Sequence, residues 1–155
     1  MTINTFFLKL LSNQVLIGGI AGWFAAQFCK TLLYAIINHK LDITRFWGDG
    51  GMPSAHSSTV SCMAVTAGIV YGVDSFPFAV CVIVALITMR DAMGVRLETG
   101  KQAKLLNMIM EQDIFKLNME QFQEKLKEFV GHTPLQVFAG AILGVILALL
   151  VNLMY

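Results

Sequence analysis

The chain has 155 residues, 56% of them hydrophobic and 14% charged, with a formal net charge of +1. A soluble domain carries about a quarter charged residues, and here long uncharged runs leave too little polar surface to clothe a soluble helical protein. The near-neutral balance, without a basic cluster, argues against a nucleic-acid partner.

A helix needs about 20 apolar residues to cross the hydrocarbon of a bilayer. The first apolar block runs from about Val15 to Ile37 and holds one charge, Lys30. The second, about Ser57 to Val73, holds none; the third, about Phe76 to Met89, holds none and is short for a full span; the fourth runs uncharged from about Leu135 to Tyr155. The pattern predicts an all-α polytopic membrane bundle with about four transmembrane helices, residues 1–155 forming one domain. The first block is too long for the apolar region of a signal peptide, so no cleaved leader is expected. Gly18–Gly22 and Gly140–Gly144 have the GxxxG spacing that lets membrane helices approach closely. Cys29, Cys62 and Cys81 lie inside apolar blocks without metal-type spacing, as small core residues do.

The polar residues collect in two connections, Asn38 to Ser54 and about Arg90 to Thr133, separated by a tight turn near Tyr71 to Ser75. If all four blocks cross, both connections face one side and both termini the other. Ten of the eleven Lys and Arg fall in or beside those connections, only Lys9 lying opposite. The positive-inside rule then places the polar face in the cytoplasm, with the plasma membrane of a bacterium as the expected location. Arg90 to about Met110 reads as a continuation of the third block, with Ala92, Arg96, Gly100, Ala103 and Asn107 on one face aimed at a partner helix or a site. Phe115, Met119, Phe122, Leu126 and Phe129 step by 4, 3, 4 and 3, an amphipathic cytoplasmic helical segment.

Two short segments open apolar blocks with capping chemistry. In Gly50-Gly51-Met52-Pro53-Ser54-Ala55-His56, Ser54 fits an N-cap and His56 the first turn. In Gly131-His132-Thr133-Pro134-Leu135-Gln136, Thr133 fits an N-cap, Pro134 the first helical position and Gln136 the far half of a capping box. Helix N-termini bind anions, and a His at each gives a proton donor and a nucleophile on the same side of the membrane. Lys30, Arg45 and Arg96 can neutralise phosphate oxygens. The plainer readings are a snorkelling Lys30, a loop charge at Arg45 and an Arg96 paired with Asp91 or Glu98.

The ordered series Lys30, Gly50 to Ser57, Asp91-Ala92-Met93-Gly94-Val95-Arg96, Gly100-Lys101-Gln102-Ala103 with Asn107, Gly131 to Val137, Gly140 and Gly144 resembles the divergent branch of the type 2 phosphatidic acid phosphatase (PAP2) family, related to acid phosphatases and vanadium haloperoxidases. The resemblance runs from about Gln27 to Gly144. It implies a nucleophilic His132 that forms a phosphohistidine, His56 as general acid, and Ser54, Lys30 and Arg96 as phosphate ligands, with Arg45 replacing the Arg of the first family motif. It implies chemistry without a metal or other cofactor. Gln136 stands where that pattern has a carboxylate; an amide orients the imidazole but supplies no charge. The expected function is hydrolysis of a phosphorylated membrane lipid such as phosphatidic acid, phosphatidylglycerophosphate or an isoprenoid phosphate. The alternatives are a non-catalytic membrane protein that binds such lipids or a partner protein, and a small transporter subunit. Four short spans also suggest a homo-oligomer that completes a cleft.

Overall fold

The computed structural model describes residues 2–48, 50–111, 126, 128 and 130–155. Among these residues six α-helices follow in order: α1 Ile3–Leu11, α2 Gln14–Asn38, α3 Ala55–Tyr71, α4 Phe76–Met93, α5 Val95–Glu111 and α6 Pro134–Leu153, with a 3-10 helix at Ile43–Trp47 between α2 and α3. Among the described residues there is no strand. The expected amphipathic segment through Phe115, Met119, Phe122 and Phe129 lies outside the described residues, apart from Leu126.

The helices begin where local chemistry dictates. Asn13, Ser54, Ser75 and Thr133 cap α2, α3, α4 and α6 by accepting a first-turn backbone N–H, which satisfies donors a helix start otherwise leaves open. Proline in the first turn of α4 and of α6 has no N–H to leave unpaired. The third apolar block runs on as expected, but in two pieces, α4 and α5, broken at Gly94.

Helix α3 is the centre, packed against α2, α4 and α6. Gly18 and Gly22 of α2 sit against Thr66 and Ser58 of α3, so these helices are antiparallel. Gly140 and Gly144 of α6 sit against the Ser54 and Ser58 carbonyls, so α3 and α6 run parallel with their N-termini at one end. Both GxxxG spacings are therefore spent inside the chain, on close backbone approach. A Cβ on Gly140 would drive into the Ser54 carbonyl oxygen. The buried face of α3 is built of small and hydroxylated residues (Ser54, Ser57, Ser58, Ser61, Thr66) rather than large apolar ones. Ser58 Oγ donates to the Gly22 carbonyl at 2.9 Å, a polar tie across the helix pair.

Three stretches, Gln14–Asn38, Phe76–Met110 and Pro134–Leu153, are long and apolar enough to cross a membrane. With 17 residues, α3 is about 26 Å long, slightly short of a hydrocarbon core of about 30 Å, and three neighbours shelter it. The outward faces of the others are lined with exposed Leu, Ile, Val and Phe; for an all-α membrane bundle these are the lipid-facing surface. Helix α1, unanticipated from the sequence, has no buried residue and meets the C-terminus where Tyr155 OH donates to the Leu11 carbonyl at 3.4 Å.

Candidate functional site

The starts of α3 and α6 are tied together by the backbone. Ser54 N–H donates to the Gln136 carbonyl at 3.0 Å, an approach that glycine at 140 allows. Two sets of first-turn N–H groups and two positive dipole ends thus share one region. Ser54 is fully buried; its hydroxyl oxygen accepts from Ser57 N–H at 3.3 Å and pairs with Ser57 Oγ at 3.1 Å.

The two imidazoles meet here. The rings of His56 and His132 lie with centroids 5.7 Å apart, edge to face. His132 is 2% exposed and anchored three ways. Its N–H donates to the Ala92 carbonyl at 2.9 Å. The preceding Gly131, at φ 90°, lies flat on the backbone of Arg96 and Leu97, where any side chain would collide. Its Nδ1 faces Gln136 Oε1 at 3.3 Å. That same oxygen accepts Thr133 N–H at 3.1 Å, which identifies it as the oxygen and not the nitrogen of the amide. An acceptor there holds the proton of the neutral ring on Nδ1 and leaves Nε2 with its lone pair. Capping box and ring orientation, two roles weighed separately for Gln136, fall to one atom.

Burial holds the His132 imidazole below its usual 6.5; the Gln136 hydrogen bond opposes this, the charges of His56 and Lys30 reinforce it, and a hydrogen bond to the Gly51 backbone opposes it. His132 is thus neutral at physiological pH.

The face Ala92, Gly100, Ala103 and Asn107 is buried, and among the described residues it receives Leu126, Glu128, Val130 and His132. Asn107 donates Nδ2 to the Leu126 carbonyl at 2.9 Å and to Glu128 Oε1 at 2.8 Å, and its Oδ1 accepts Leu126 N–H at 3.0 Å. Gly100 lies against the Glu128 and Val130 carbonyls. Arg96 takes no part: its Nε donates to Asp91 Oδ2 at 2.6 Å, half exposed. The structure brings together Lys30, Ser54, His56, His132 and Gln136, and turns the Arg96 side chain to Asp91.

Beside the imidazoles lies a cavity of about 540 Å³ lined by Lys30, Tyr34, Asn38, Arg45, Gly51 and Gln136, with Leu33 and Ile37 on its apolar side. Lys30, 8% exposed, donates Nζ to the Gly48 carbonyl at 3.1 Å. Arg45 stacks its guanidinium 4.5 Å above the Tyr34 ring. The 3-10 helix that carries Arg45 is clamped to α2 by ring contacts among Trp23, Phe24, Phe46 and Trp47. Tyr34 and Gly48 were missed in the sequence; the one usable signal was Tyr34, a turn beyond Lys30 on the same helix face. Among the described residues no three of His, Cys, Asp and Glu gather closely enough to hold a metal ion.

Residues 11–147 match the family described as the divergent PAP2 family. A protein named as an uncharacterized membrane protein, YuiD of Bacillus subtilis (strain 168), is 37% identical over 151 residues, covering 92% of this chain and 96% of that protein. No solved structure matches.

Proposed function

The chain belongs to the divergent PAP2 family, and from that premise we propose that it is an integral membrane phosphatase that removes a phosphomonoester from a phosphorylated lipid. The observation that carries the reading is the tie between two helix N-termini that sets His56 and His132 5.7 Å apart beside Lys30. In this reading Nε2 of neutral His132 attacks phosphorus, and the bond from phosphorus to the lipid oxygen breaks. His56 gives its proton to the departing alkoxide. Water then attacks the phosphohistidine, His56 takes a proton back, and inorganic phosphate leaves. The two N-termini and Lys30 stabilise charge on the phosphoryl oxygens. The rings are in edge-to-face contact, so the phosphoryl group lies alongside both rather than between them.

The cation-rich connections support a cytoplasmic position for this end of the bundle, in the plasma membrane of a bacterium; cysteine labelling at positions 40 and 74, expected to report opposite faces, tests that orientation. The second reading, binding of a lipid phosphate without turnover, is favoured by the neutral amide of Gln136 and by the 2% exposure of His132.

The deciding measurement is phosphate release from phosphatidic acid and phosphatidylglycerophosphate in detergent micelles, with an alkaline denaturing quench to capture an acid-labile phosphoprotein. Wild type should turn over at least one lipid and form the adduct, while His132→Ala should lose both by about 10³-fold or more, the scale of losing a nucleophile that acts as a unit with its partners. Turnover that survives His132→Ala would remove this mechanism, and lipid binding without turnover would leave the second reading.

A further inference from the structure

A second cavity, of about 320 Å³, lies in the seam between α2 and α3. Leu16, Gly19, Ile20 and Trp23 line one side and Thr59 and Met63 the other. Thr59 turns its hydroxyl back to the Ala55 carbonyl at 2.8 Å and its methyl toward Gly19, so the walls are apolar. Gly19 contributes no side chain, and the Met63 side chain lies where its Cβ would stand. The stretch from Leu16 to Trp23 belongs to the membrane-length helix Gln14–Asn38. With Leu16 and Ile20 partly exposed on its rim, the groove opens to hydrocarbon over about 10 Å of helix.

Both helices lead from the candidate site into this groove. On α2, Trp23 and Lys30 are seven residues apart, as are Ile20, Gln27 and Tyr34, and seven residues return to the same face within about 20°. On α3, His56, Thr59 and Met63 step by three and four along one face. The helices are antiparallel, so the two series descend from the polar end together. The 3-10 helix that carries Arg45 to the first cavity rests Phe46 on Trp23, with ring centroids 5.7 Å apart, at the upper end of the second.

Polarity along the α2 face follows the order of a phospholipid. Lys30 comes first, then Gln27, then apolar walls alone. Gln27 is 5% exposed, and its side-chain oxygen is buried without a hydrogen-bond partner among the described residues. Buried polar atoms are as a rule paired. A glycerol linkage, which carries hydroxyl groups or holds water, supplies a donor at that level.

We infer that the groove seats a hydrocarbon chain of the lipid whose phosphomonoester is read at Lys30, His56 and His132. This rests on the lipid-phosphate reading of that end, but not on turnover. A helix of a second copy, about 10 Å across with its side chains, is too wide for about 320 Å³ spread along two turns. Chain length is then a selected property, limited by Leu16 at the deep end.

Trp47→Phe leaves Trp23, on the groove wall, as the sole tryptophan. The test adds lipids with brominated chains, which quench indole on contact, to this variant in phosphatidylcholine nanodiscs. Brominated phosphatidic acid is compared with brominated phosphatidylglycerol, which is anionic but has no phosphomonoester. Phosphatidic acid should quench Trp23 at an at least tenfold lower mole fraction. Ile20→Phe, which fills the groove, should cut that preference at least threefold. Leu32→Phe, 48% exposed and outside both cavities, should leave it intact. In the native-tryptophan background, Leu16→Phe should lower kcat/KM, or affinity where there is no turnover, at least fivefold more for dipalmitoyl than for dioctanoyl phosphatidic acid. Equal quenching by the two lipids would assign the groove to bulk lipid, and absence of quenching by both would mean that protein covers it; either overturns the inference. Phosphate release with equal quenching would sink the chain seat and leave the phosphatase reading. A quenching preference without phosphate release would do the reverse.

Discussion

Replacing Gln136 by Glu puts a charge on the atom position that now serves both His132 and the α6 cap. Glu accepts Thr133 N–H as well as Gln does, so the capping box survives. What changes is the bond to Nδ1, now neutral and 3.3 Å long. A charge-assisted bond is about twice as strong as a neutral one, a gain of about 1.4 kcal/mol for the cationic ring, or roughly tenfold in rate when that ring is formed by phosphoryl transfer. The same charge favours protonation, by about one pKa unit for that energy. Protonated His132 cannot attack. The gain therefore appears only on the alkaline plateau, and the acid limb of kcat/KM moves up by about one unit. The assay is phosphate release against pH for wild type and Gln136→Glu, with thermal unfolding to confirm that the cap is intact. Equal plateau rates would refute the orienting role of Gln136. A raised plateau with an unmoved acid limb would show that the charge acts elsewhere than on the imidazole.

Gly140→Ala should lower the detergent unfolding temperature, because its Cβ meets the Ser54 carbonyl oxygen and overpacking costs about 1–3 kcal/mol; an unchanged temperature would mean α3 and α6 are not in contact there. His132 also ties stability to pH. The unfolded chain titrates it near 6.5, while burial lowers the folded value, so between those values the unfolded state binds more protons. Stability should be full above 6.5 and fall as pH drops through the window toward the lowered value. His132→Asn should flatten that slope, and an identical slope in the variant would assign it to another group.

What could be read from the sequence was what is local. Ser54 to Ser57 and Thr133 to Gln136 each span one helical turn, so their capping chemistry is written in adjacent residues. Lys30 stood out as the single charge in an apolar block. For Arg96 the plainer of the two readings is the one seen: the break at Gly94 starts a new helix, and the side chain reaches back five residues to Asp91. The face through Ala92, Gly100 and Asn107 was visible as a stripe, but its partners were not: Asn107 finds Leu126 nineteen residues away, and the Ala92 carbonyl takes the His132 N–H, beyond any periodicity. Helix α1 escaped because nine residues with one Lys are too short to register as an apolar block.

The serine face of α3 has a consequence for how the protein is made. Ser54, Ser57, Ser58 and Ser61 are buried, and α6, which closes over them, ends at Leu153 while α3 ends at Tyr71. At a synthesis rate of about 5–20 residues per second, roughly 4–16 s separate the two. For that interval the side of α3 that Gly140 and Gly144 cover lacks its partner, while Ser58 has Gly22 of the earlier α2 to pair with. The packing of α3 is therefore complete only when α6 arrives. Only then does Ser54 N–H meet the carbonyl of Gln136, so the joined helix starts that frame the candidate site are absent from every shorter nascent chain.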